Sequence, residues 1–129
     1  MGSAEGKKKI LVMDDETMIG EIACQMLSFI GCQSLHVTSG EEAIAVYRQH
    51  FEQGEPFDVV IMDLTIPGGM GGSEAIVEIL AIDPQARALV SSGYSNDPIM
   101  MNFSEYGFLG VIEKPFDMHS LQAAIEAVL

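Results

Sequence analysis

Three short apolar runs along the chain end in ionisable residues. Ile10, Leu11, Val12 and Met13 lead into Asp14 and Asp15; Val59, Val60, Ile61 and Met62 lead into Asp63; Gly110, Val111 and Ile112 lead into Glu113, Lys114 and Pro115. Apolar runs of this length, bounded by turn residues, predict strands buried on both faces, as in a parallel sheet. Such a sheet opens a crevice beyond the carboxyl ends of its strands. Three carboxylates and an ammonium are expected to meet there.

The segments between these runs have helical period. Ile19, Ile22, Ala23, Met26, Leu27 and Ile30 recur at helix spacing after a strand over 8–14, and Gly31 ends that helix. A weaker strand over 33–37 follows. Ser39, Glu41 and Glu42 then supply a cap and first-turn acids for a helix whose apolar face is Ala43, Ile44, Val46, Tyr47 and Phe51. The pattern continues with a strand over 58–63, a helix from 73 to 80 stopped by Asp83 and Pro84, and a strand over 86–91. A helix over 97–106, a strand over 108–113 and a helix over 117–129 complete it. Strict alternation predicts an α/β fold: a single, doubly wound, five-stranded parallel sheet with five helices on its two faces. Four glycines lie between Ile66 and Gly72, more backbone freedom than a simple turn needs.

Composition narrows the setting. The chain has 129 residues, 48% of them hydrophobic and 19% charged, which suits one domain with one core. Residues 8–129 are expected to form that domain and residues 1–7 a flexible leader. No apolar stretch approaches the roughly 18 residues of a membrane span, so a cytoplasmic protein without membrane insertion is expected. Six basic against nineteen acidic residues give a formal net charge of −13, which opposes direct nucleic-acid binding and favours a cation or a basic partner surface. Lys7, Lys8 and Lys9 read as a solvated lead-in to the first strand. Cys24 and Cys32 read as reduced structural thiols, and His36, His50 and His119 show no ligand spacing.

Gathered carboxylates need compensation, because two unit charges about 5 Å apart repel by roughly 3 kcal/mol at an effective dielectric near 20. Mg²⁺ supplies it while keeping sites for water and a phosphate oxygen. A carboxylate beside such a metal can also attack phosphorus and form an acyl phosphate. Asp63 stands alone before the glycine-rich loop and suits that task, while the adjacent Asp14 and Asp15 suit the metal. Lys114 can pair with a phosphoryl oxygen, and either Ser91 or Ser92 can hydrogen-bond another.

The ordered set of Asp14-Asp15, Asp63, Ser92-Gly93 and Lys114-Pro115-Phe116, each after its own strand, resembles the receiver domain of two-component response regulators. The resemblance spans residues 8–129. It implies a flavodoxin-like (βα)5 sheet of strand order 2-1-3-4-5, with Asp63 as phosphoacceptor and metal ligand. It further implies Asp15 as a direct Mg²⁺ ligand, Asp14 as a ligand through water, and the Thr65 main-chain carbonyl as another. Ser92 becomes the switch hydroxyl, and Lys114 reads the phosphoryl group. The implied donor is a phosphohistidine on a sensor histidine kinase or phosphotransfer domain, and the implied consequence is a conformational change that controls an output partner. Such a domain catalyses its own phosphorylation and dephosphorylation without being a turnover enzyme.

Two departures from the family pattern stand out. Val111 occupies the position, three before the lysine, where the family usually has an aromatic switch residue, and the loop over 67–72 is one residue longer than usual. Thr65 and Tyr94 fall where the family tunes acyl-phosphate lifetime, and bulky Tyr94 is expected to slow hydrolysis. The stretch from Ser91 to Pro98 resembles the C-terminal receivers of hybrid sensor histidine kinases. Receivers can also pair through helix four, strand five and helix five, and the sequence leaves homodimer formation open. Two other readings are a haloacid-dehalogenase-like phosphatase, which expects a second acid where Thr65 stands, and a receiver that docks partners without phosphorylation.

Overall fold

A computed structural model describes residues 8–64, 66–93 and 96–129. Residues 1–7, expected as a leader, lie outside the described residues, as do Thr65, Tyr94 and Ser95. The elements alternate along the chain: β1 (Lys9–Met13), α1 (Thr17–Phe29), β2 (Gln33–Val37), α2 (Gly40–Glu52), β3 (Val59–Asp63), α3 (Gly72–Ile82), β4 (Ala88–Ser92), α4 (Pro98–Met101), β5 (Gly110–Glu113) and α5 (Met118–Val128). The five strands form one sheet in the order β2-β1-β3-β4-β5, and every neighbouring pair is parallel.

Period-two alternation splits the strand residues between two cores. Leu11, Met13, Val60, Met62 and Val90 pack with Ala43, Tyr47, Ala75, Ile76 and Ile79 of α2 and α3. Their sequence neighbours Ile10, Val12, Val59, Ile61 and Leu89 pack on the other face with Ala23, Leu27, Leu121 and Ile125 of α1 and α5. Strands β3 and β4 are buried at every position, which is why they read as unbroken apolar runs. Each fully buried aliphatic side chain of this kind contributes about 1.5–3 kcal/mol of burial free energy.

Helix starts follow local chemistry. Ser39 Oγ accepts the Glu42 N–H at 3.2 Å to begin α2, and Asp117 with Ser120 forms a reciprocal capping box at α5. The expected helix over 97–106 is corrected: α4 ends at Met101, and a separate 3-10 turn runs over Phe103–Tyr106. The break is at Asn102 (φ −124°, ψ 41°), whose backbone N–H and side-chain amide both donate to the Pro98 carbonyl at 3.0 Å. Strand β4 begins at Ala88 rather than residue 86, because the Ala86 N–H is committed to a turn with the Asp83 carbonyl. Strand β5 begins at Gly110 rather than residue 108, because the Phe108 N–H bonds back to Phe103. Among the described residues no helix is long and apolar enough to cross a membrane.

Candidate functional site

The sheet ladder continues one residue beyond three of its strands, and that fixes the site. Asp14 N–H donates to the Val37 carbonyl, Leu64 N–H to Ser91, and Lys114 N–H to Ser92, at 3.0, 2.9 and 2.9 Å. Asp14, Asp63 and Lys114 are thereby held at the same end of β1, β3 and β5. Asp14 and Asp63 are buried, and Lys114 reaches both: its Nζ is 2.8 Å from Asp14 Oδ2 and 3.3 Å from Asp63 Oδ2. The Lys114–Pro115 peptide is cis.

Asp14 uses its second oxygen locally. Asp14 Oδ1 accepts the Glu16 N–H at 2.9 Å, while Glu16 makes no side-chain cap bond of its own at the start of α1. The Asp14 main-chain oxygen lies 2.8 Å from His36 Nε2. That imidazole fills the space above Gly20 so closely that a Cβ there would overlap it. The Asp14-Asp15 turn is therefore held by the sheet, by α1 and by β2.

Asp15 is exposed, and its carboxylate lies with those of Asp14 and Glu16 so that one oxygen from each falls within 4.8 Å of the others. Asp15, Glu16, Asp63, Pro67, Ser92, Gly93 and Lys114 line one cleft of about 650 Å³. Glu16 was not singled out in the sequence; its place directly after two aspartates is the signal that marks it. The glycines after Asp63 allow close approach of the loop. A Cβ on Gly72 would lie 2.9 Å from the Asp63 carbonyl oxygen, and one on Gly71 would overlap the Leu64 carbonyl.

Burial pushes the Asp63 carboxyl up to about 6, Lys114 opposing this and Asp14 adding to it. Burial alone would lower Lys114, but its hydrogen bond to Asp14 and the Asp63 charge outweigh that and raise it. The donor set is hard oxygen, anionic and partly open to solvent through Asp15, which fits a divalent cation such as Mg²⁺. Ser91 and Ser92 are both buried at the end of β4, and only Ser92 lines the cleft. Thr65, expected to offer its carbonyl, and Tyr94 lie outside the described residues.

The family model for the response regulator receiver domain matches residues 10–126. The chain belongs to that family. As a receiver domain of two-component signalling, it resembles sporulation initiation phosphotransferase F of Bacillus subtilis, with 27% identity covering 95% of this chain and 94% of that protein. It also resembles the chemotaxis protein CheY of Thermotoga maritima, with 30% identity covering 94% of this chain and 97% of that protein. In some longer relatives it corresponds to less than half of the length. Among solved structures, a chain of the CheX-CheY-BeF3-Mg complex from Borrelia burgdorferi superposes with a TM-score of 0.84. That match has 24% identity and covers 94% of this receiver and 88% of that chain. The strand order and the five βα units expected from the sequence are those observed.

Proposed function

We propose that this receiver, residues 8–129, accepts a phosphoryl group on Asp63 in the cytoplasm and passes the signal to an output partner by a change of conformation. The donor is a phosphohistidine of a sensor histidine kinase or phosphotransfer domain. The observation that carries this reading is the buried Asp63 carboxylate on the cleft wall, paired with a lysine that it shares with Asp14.

Asp63 attacks phosphorus with one carboxylate oxygen as the phosphorus–nitrogen bond of the donor breaks. Near neutral pH a carboxyl raised to about 6 is still mostly ionised, so the nucleophile is available. Asp15, Asp63 and the Thr65 carbonyl would hold Mg²⁺ directly. Asp14 would act through water, a role supported by the engagement of both its oxygens, one with Glu16 and one with Lys114. The metal, when bound, offsets the negative charge shared by carboxylate and phosphoryl oxygens. Lys114 then turns from Asp14 to a phosphoryl oxygen, and the Ser92 hydroxyl takes another. Gly93 leaves room beside them.

The donor needs a place to dock. Beside the cleft, Ile19, Ile22, Lys114, Pro115 and Phe116 line an apolar groove of about 280 Å³, and Met18, next in sequence to Ile19, is strongly exposed. An apolar surface adjoining the phosphoacceptor suits a helical donor. The test is incubation with Mg²⁺ and a small acyl phosphate: wild type gains the mass of one phosphate, while Asp63→Asn and metal-free samples do not. Equal gain by Asp63→Asn would overturn the assignment.

A further inference from the structure

Ser91 Oγ is fully buried and has no hydrogen-bond partner among the described residues. A buried hydroxyl left unpaired costs about 1–3 kcal/mol, so native proteins keep few of them and each calls for a structural or functional reason. Its position points to one. Ser91 is the register partner of Asp63 on one side and of Ile112 on the other. It lies two residues after Leu89, as Asp63 lies two after Ile61 and Asp14 two after Val12, and Leu89, Ile61 and Val12 all belong to the core under α1 and α5. By alternation, Asp14, Asp63 and Ser91 form a row across β1, β3 and β4 on one face of the sheet.

Lys114 enters this row from β5. Lys114 lies two residues beyond Ile112, the register partner of Ser91, and its side chain passes from β5 across the end of β4 to reach Asp63 and Asp14. In the resting arrangement the ammonium bridges Asp14 on β1, at 2.8 Å, and Asp63 on β3, at 3.3 Å, and Asp63 is the register partner of Ser91. Release from Asp14 frees the ammonium to settle on the Asp63 side of the row, nearer to β4 and Ser91.

We propose that Ser91 is a positioning residue for Lys114, resting on the phosphoacceptor reading above: in the phosphorylated state its oxygen accepts one of the three ammonium N–H bonds and holds the lysine against the phosphoryl oxygen. The two serines divide the work. Ser92 faces the cleft and binds the phosphoryl group, and Ser91, beneath the lysine, fixes the cation that neutralises it. Hydrogen bonds to charged groups are among the stronger ones, so the oxygen gains its partner only when the signal is present.

The test uses beryllofluoride with Mg²⁺ as a phosphoryl mimic, its affinity measured by calorimetric titration for wild type, Ser91→Ala, Ser91→Thr and Lys114→Met, with and without Ser91→Ala. Ser91→Ala is expected to bind the mimic about tenfold more weakly, and Ser91→Thr to restore it. Affinity for Mg²⁺ alone and ligand-free urea stability should not fall in Ser91→Ala, because no resting bond is lost. In the Lys114→Met background Ser91→Ala should add nothing. Equal binding by wild type and Ser91→Ala, or the same loss without the lysine, overturns the proposal while leaving the phosphoacceptor intact. Failure of wild type itself to bind the mimic overturns both.

Discussion

Acidification of the metal-free protein tests the electrostatics of Asp63 directly. Burial raises this carboxyl from its ordinary 3.8 to about 6, which costs its ionised form about 3 kcal/mol in the fold. As pH rises from about 4, the unfolded chain ionises first and gains free energy that the folded chain does not. The group's contribution to stability is therefore complete below about pH 4 and lost by the time pH has passed about 6. Asp63→Asn removes this titration and leaves the rest of the chain's pH dependence in place. Urea unfolding of wild type and Asp63→Asn in a chelating buffer, at intervals from pH 4 to 7.5, should show the variant gaining on wild type by about 3 kcal/mol across that range. Mg²⁺ favours the ionised carboxylate, so it should narrow the gap at the upper end and bind more weakly below pH 6. A gap that stays flat, or that closes as pH rises, would refute the assignment of burial as the dominant influence on Asp63.

Three further perturbations follow from named contacts. Lys114→Met leaves Asp14 and Asp63 buried without their cation, and urea unfolding at neutral pH in chelator should register a loss of about 3 kcal/mol, recovered in part by Mg²⁺. Gly20→Ala would ordinarily favour a helix, but its Cβ meets the His36 ring that contacts the Asp14 carbonyl. A net loss of about 1–3 kcal/mol is expected, relieved when His36→Ala is combined with it, again read by urea unfolding. Tyr47→Phe removes the 2.7 Å bond from the buried phenol to Asp83 Oδ2 and should lower stability by about 1–2 kcal/mol.

Most of the fold was legible because β1, β3 and β4 are buried on both faces and leave unbroken apolar runs, while the intervening helices keep one apolar stripe each. The run before Lys114 marked the lysine's position although β5 is an edge strand in which only Ile112 is buried. Where the expected elements are longer than the observed ones, local backbone geometry intervenes: Asn102 leaves helical dihedrals and ends α4, and the Ala86 amide is held in a turn by Asp83. The meeting of Asp14, Asp63 and Lys114 was legible from three strand ends, but the pairing of Lys114 with Asp14 as its shorter contact was not, since side-chain reach across two strands leaves no mark in the sequence. His36 is a comparable case. Its spacing suggests no ligand role, and its contact with the Asp14 carbonyl exists only because β2 lies beside β1 and Gly20 leaves it room. Glu16 was visible as a third consecutive acid, yet its place on the cleft wall depends on how α1 begins.

Chemical trapping of the acyl phosphate tests the central claim most directly. After incubation with Mg²⁺ and a small acyl phosphate, borohydride reduces an aspartyl phosphate to homoserine, and peptide mass spectrometry locates the residue converted. The account predicts homoserine at position 63 alone, dependent on Mg²⁺. Conversion at Asp14 or Asp15, or no conversion in protein shown to be folded and metal-bound, would contradict it.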